Sequence, residues 1–260
     1  MKNFNFQLQF PISLLLLAAV FLASCNNSYD ELQPGQNNDK LDFRTYNPDT
    51  AGQIHNGAVN YVAIHADSIH SYIDVMDQIF DYIYSELGFY LPDSIRIYQA
   101  TEFHDTIAQY ASLTDYIDQY DTTFLPIEKD YLITLEYIAN DTYGSFQDYI
   151  DEVDDFIELL EAETDTTFNK NLLFGAASIA KRSAEYWYDY NTTTGHVFEN
   201  IAPYGKSGGI YLHPCTVVDI LAYIDTYNYL YWAHNRTDEY SQKVAFGQAA
   251  YESIRCTMGF

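Results

Sequence analysis

Positive charge is what this chain lacks most. Its 260 residues carry 12 Lys and Arg against 37 Asp and Glu, a formal net charge of -25. Between Asp67 and Asp165, 24 acids face only Arg96 and Lys129. Such a field repels phosphate backbones and anionic membrane surfaces. It excludes nucleic acid as a partner and leaves a protein or a cationic ligand compatible with it. Cysteine is scarce too: three residues, with no Cys-x-x-Cys pair and no Cys/His cluster, so no metal site is expected. The Gly-x-Ser-x-Gly elbow of serine hydrolases is absent. "YGKSGG" at 204–209 has the residue types of a phosphate loop without its spacing and reads as a flexible loop. No cofactor is implied. Strand-like alternation and a fixed-period repeat are both missing. The longest apolar run, Phe10 to Leu22 with Ser13 inside it, is shorter than the roughly 20 residues that span a bilayer as a helix.

What is present begins with that run. Lys2, a short apolar core and small residues before Cys25 together read as a signal peptide over residues 1–24. Leu22-Ala23-Ser24-Cys25 resembles the lipobox of bacterial lipoproteins. The resemblance implies that diacylglycerol is attached to the Cys25 sulfur and that cleavage makes Cys25 the first mature residue. The membrane is then reached through an N-terminal lipid, and two or three acyl chains hold far more firmly than one. Asn26 is not the Asp that retains such proteins at the inner membrane of enteric-type bacteria. Ser28-Tyr29-Asp30-Glu31 loosely resembles the acidic export signal of surface lipoproteins in Bacteroidota. The expected address is the outer membrane, on its periplasmic or its cell-surface face. Residues 25–50 are rich in Asn, Asp, Gln, Pro and Gly and read as a flexible tether.

From 51 to 260 the apolar positions recur at helical spacing, and the fold class expected is all-α: an irregular antiparallel bundle of about seven to nine helices, acidic on its surface. One stripe runs through Ile69, Ile73, Met76, Ile79, Phe80, Ile83 and Leu87, on a helix expected over 67–91 with Asp67 as its cap and an end at Gly88. Further helices are expected over 93–112, 127–140, 144–163, 169–190, 215–234 and 238–257, with an irregular stretch at 191–214. Tyrosine is abundant at 26 residues. A ring that packs on apolar neighbours while its hydroxyl seeks a partner suits half-buried helix faces, and it also suits recognition surfaces.

Several residues are candidates for chemistry. Asp67-x-x-His70 puts a carboxylate and an imidazole one helical turn apart, but a ferritin-like site needs two such copies and two further Glu. Asp115, Asp118 and Asp121, and Asp148, Asp151, Asp154 and Asp155, lack the alternating ligands and glycine of a calcium loop and fit polar helix faces. "GQIHNGAVNYV" at 52–62 resembles a stretch of uncharacterised lipoproteins of Bacteroidota with a Gly-x-x-His-Asn segment, and "FGQAAYESI" near the end echoes it. That resemblance carries no activity. Physically, His55 and Asn56 in a first helical turn are suited to capping backbone groups or bonding another helix.

Cys215 and Cys256 sit near the open end of a helical hairpin whose turn is expected at Asn235-Arg236-Thr237, which favours a disulfide. The alternative is two buried free thiols. Two functions stay open. One is a membrane-anchored binding or structural module. The other is a hydrolase or metal-dependent enzyme with a site assembled from scattered acids and His55, His104, His196 or His213.

Overall fold

The computed structural model describes residues 49–103, 110, 112–192 and 214–258. The 1–24 segment, Cys25, the tether up to 48, the 204–209 loop and His104, His196 and His213 lie outside the described residues. Among the described residues the protein is all-α, with nine α-helices and no β-strand. In chain order these are α1 (Thr50–Ile64), α2 (Tyr72–Leu87), α3 (Asp93–Tyr98), α4 (Leu113–Gln119), α5 (Pro126–Asn140), α6 (Phe146–Ala162), α7 (Lys170–Thr192), α8 (Pro214–Asn228) and α9 (Asp238–Met258).

A recurring local device starts three of them. Ser71, Ser112 and Ser145 stand in extended backbone, and each hydroxyl accepts the N–H of an Asp three residues on: Asp74 at 3.2 Å, Asp115 at 3.0 Å and Asp148 at 3.2 Å. Two of these acids bond back to the chain, Asp74 to the His70 N–H and Asp148 to the Ser145 N–H, each at 2.8 Å. Each such bond satisfies a helix-start donor that would otherwise lack a partner. Part of the acidic excess is therefore helix-capping chemistry.

The first of these caps corrects the expected helix over 67–91. The chain makes a short 3-10 turn at Ala66–Ser68 and extends through Ile69, and α2 starts only after Ser71. Asp67 and His70 do not share a helical turn, and both are exposed. Gly88 ends α2 in the left-handed region (φ 66°), its N–H bonded to the Tyr84 carbonyl at 2.8 Å. The helix expected over 93–112 is α3 followed by a π-helical turn at Gln99–Phe103, with 104–109 and 111 outside the described residues.

The bundle is organised around α7. Its Leu172, Leu173, Ala176, Ala177, Ile179, Ala180 and Ala184 are buried against α1, α8, α6 and α5. Helices α8 and α9 form an antiparallel hairpin, and α9 also packs on α1 and α2. Alanine-rich faces and glycines let these helices approach closely. A Cβ at Gly247 on α9 would meet the Phe80 ring at 2.5 Å. The buried tyrosines act as bolts between elements: Tyr149 donates to the Ala180 carbonyl at 2.9 Å and Tyr251 to the Ala100 carbonyl at 2.8 Å. A ring in the core with its hydroxyl on a carbonyl meets both demands of the side chain.

Candidate functional site

The Gly-x-x-His-Asn segment of α1 lies in the middle of the bundle, where α1, α7, α8 and α9 meet. Gly52 sits so close to α7 that a Cβ there would lie 2.3 Å from the Ser178 carbonyl oxygen. Its N–H, in the first turn and without an intrahelical acceptor, donates to Ser178 Oγ at 2.8 Å. One turn on, Asn56 Nδ2 donates to the Arg182 carbonyl at 2.6 Å. A carbonyl only accepts, so the Asn56 amide can face only one way. Its Oδ1 therefore accepts from His55 Nδ1 at 2.9 Å, which places a proton on Nδ1.

The other ring nitrogen, Nε2, lies 3.2 Å from Asp219 Oδ2 of α8. No hydrogen bond spans this gap, and the two side chains meet there by distance alone.

Asp219 Oδ2 also accepts from the hydroxyls of Ser183 (2.6 Å) and Ser253 (2.7 Å), and Ser253 Oγ accepts from Trp187 Nε1 at 3.2 Å. Each of these five side chains is fully buried. The residue types are those of a nucleophilic triad, but the contacts are not. The serines touch the carboxylate, both imidazole nitrogens are engaged elsewhere, and no substrate reaches the set. What the arrangement can do is fix the register of four helices through one buried polar node.

The other sequence candidates are placed as follows. Cys215 and Cys256 are joined in a disulfide with Cα atoms 5.6 Å apart, tying the start of α8 to the end of α9. Asp118 and Asp151 point to solvent, and Asp154 pairs with Lys181 at 2.6 Å. Among the described residues no group of three or more His, Cys, Asp or Glu could hold a metal ion, and no helix is long and apolar enough to cross a membrane. A second buried carboxyl, Asp225 on α8, is pushed up to about 6 by desolvation, against the hydrogen bond from Tyr116, which acts to lower it. Two acids inside the apolar run "CTVVDILAYID" were the legible signal for Asp219 and Asp225, since charge in a core-facing stretch requires a partner.

A second arrangement has no sequence signature. A cleft of about 930 Å³ opens between the chain before α5 and its first turn, the turn into α7, and the end of the α8 segment. The final part of the helix expected over 215–234 is instead a π-helical turn at Tyr229–Ala233, closed by the Arg236 N–H on the Leu230 carbonyl at 3.0 Å. Widening the helix by one residue reorients the side chains that follow. Trp232 is left 56% exposed, edge-on to Tyr231 at 5.0 Å between ring centres.

The floor of the cleft is prearranged. Asp238 accepts the Tyr227 hydroxyl on one oxygen and the amides of Asn171 and Gln242, each at 2.8 Å, on the other. Burial and the neighbouring Asp238 raise the Tyr227 hydroxyl far above its usual range. Glu128, nearly buried, accepts the backbone N–H groups of Leu125 and Asn169, each at 2.8 Å, and so joins the α5 start to the α7 start. Thr122, Thr123, Thr166 and Thr167 also line the cleft, and no histidine or cysteine is among its lining residues. Comparison with protein-family models, with curated proteins and with solved structures found no match to this chain.

Proposed function

We propose that this chain is a lipid-tethered binding module of the outer membrane or cell surface, with its ligand seat in the cleft that Trp232 flanks. The tether follows from Leu22-Ala23-Ser24-Cys25, with the Cys25 sulfur as the lipidated atom and 26–48 as the spacer. The observation that carries the binding reading is the contrast between two polar arrangements. The His55–Asp219 network is closed to solvent and engaged in holding helices. The cleft leaves a large indole in water among internally hydrogen-bonded polar groups, and its volume falls in the range of small-molecule sites.

The two tryptophans of the chain make a direct test. Trp187 is buried and Trp232 is exposed, so ligand entry to the cleft changes the emission of one and not the other. Wild type and Trp232→Ala are screened by fluorescence and calorimetry against a library of soluble metabolites and oligosaccharides. Ligands that bind wild type and are lost in Trp232→Ala support the reading. A library whose every hit survives Trp232→Ala would refute the cleft as the seat. For the tether, a fatty-acid analogue is expected to label wild type and not Cys25→Ser, and equal labelling would refute lipidation.

A further inference from the structure

Resting on the reading of the cleft as a ligand seat, we infer that its ligand is a neutral carbohydrate, held by stacking on Trp232 and by uncharged hydrogen-bonding groups around it. Four observations narrow the class. The net charge of -25 and two lining carboxylates oppose an anion.

Cations are disfavoured by the way the charges are already used. Both Asp238 oxygens and both Glu128 oxygens take internal donors, from Tyr227, Asn171 and Gln242 and from two backbone N–H groups. A cation of the protein itself already lines the cleft: Lys170, whose Nζ lies 5.8 Å from the ring centre of buried Phe168. That ammonium is fixed by the Leu160 and Glu163 carbonyls. It repels a second cation on the same lip.

A wholly apolar ligand would strip water from four threonines without replacing their hydrogen bonds. A pyranose meets both demands. One ring face presents C–H bonds to the negative face of the indole, while its rim of hydroxyls can both donate and accept. The amides and hydroxyls around the cleft are such two-way partners. Trp232 is a suitable platform because Tyr231, at right angles to it, is stacked in turn on buried Tyr227 at 5.5 Å. The indole is backed by the core although it faces water.

The test titrates the intact folded protein with neutral gluco-, xylo-, manno-, galacto- and N-acetylglucosamine oligomers, and in parallel with tetramethylammonium and spermidine. Heat and tryptophan emission are followed at about 0.05 and about 0.5 M salt. At least one neutral series is expected to bind saturably, with affinity changed less than about twofold by salt. Trp232→Ala should weaken it about tenfold or more, with Trp232→Tyr intermediate. Because Trp232 is exposed, these variants are expected to keep the wild-type helical spectrum and melting temperature, which are checked first. Salt-sensitive binding of tetramethylammonium or spermidine, lost in Trp232→Ala and without any neutral sugar, would overturn the ligand class and leave the cleft reading standing. Sugar binding untouched by Trp232→Ala would overturn both. Failure of every neutral series to bind overturns the inference.

Discussion

Removing the Asp219 carboxylate is the sharpest perturbation of the central network. In Asp219→Ala, His55 loses the carboxylate in contact with Nε2, and the Ser183 and Ser253 hydroxyls lose their common acceptor. All of these groups are fully buried, so bulk water does not solvate what the lost carboxylate leaves behind. Breaking a buried pair from one side costs about 3–5 kcal/mol. The Ser253 hydroxyl, left without its acceptor, adds about 1 kcal/mol or more, partly included in that figure, while Ser183 keeps Thr216 Oγ1 at 3.3 Å. For a domain of this size, 1 kcal/mol shifts Tm by about 2–4 °C, so a fall of roughly 10 °C is expected.

Asp219→Asn should be far milder, about 1–2 kcal/mol. Its amide oxygen can take the place of Oδ2 and still accept from the two serines, while its NH2, at the place of Oδ1, does not serve Nε2 as well. Urea unfolding of both variants, with His55→Ala and the double variant to close a cycle, reads these differences. A loss under about 1 kcal/mol in Asp219→Ala, or no coupling between 55 and 219, would refute the reasoning.

Two further outcomes follow from other buried groups. Asp225 has a carboxyl raised from 3.8 to about 6 in the fold, so the folded state holds this proton more tightly than the unfolded chain. Its contribution is therefore full below about pH 4 and is lost as pH rises to 6, a span worth roughly 3 kcal/mol. Asp225→Asn should match wild type near pH 4 and exceed it at pH 7, and a stability difference constant across that window would refute the assignment. The Cys215–Cys256 bridge closes a separation of 41 residues, which on loop-entropy grounds stabilises the fold by about 4 kcal/mol. Melting with and without reductant should differ accordingly, and two alkylatable thiols in the native, unreduced protein would show that no bridge exists.

Much of this architecture was legible because helices declare themselves locally. The stripe from Met76 to Leu87, the stop at Gly88 and a helix beginning beside Pro126 follow from period, glycine and proline alone. The Ser-x-x-Asp starts at 71, 112 and 145 are equally local signals, but at 71 the apolar stripe runs through the break and hides it. His55 interrupts the buried face of α1, which announces a need for a partner without naming it. Asp219, which meets that need, lies 164 positions further along the chain.

The cleft is the extreme case. Thr122, Asn169, Trp232 and Asp238 come from four separate stretches, and a π-helical turn at 229–233 decides which aromatic faces water. Period and capping act over one or two turns of one segment, so the sequence by itself determines where helices begin, end and turn their apolar faces. Which buried charges meet, and which surface groups converge, depends on packing between segments distant in the chain, and only the tertiary structure decides that.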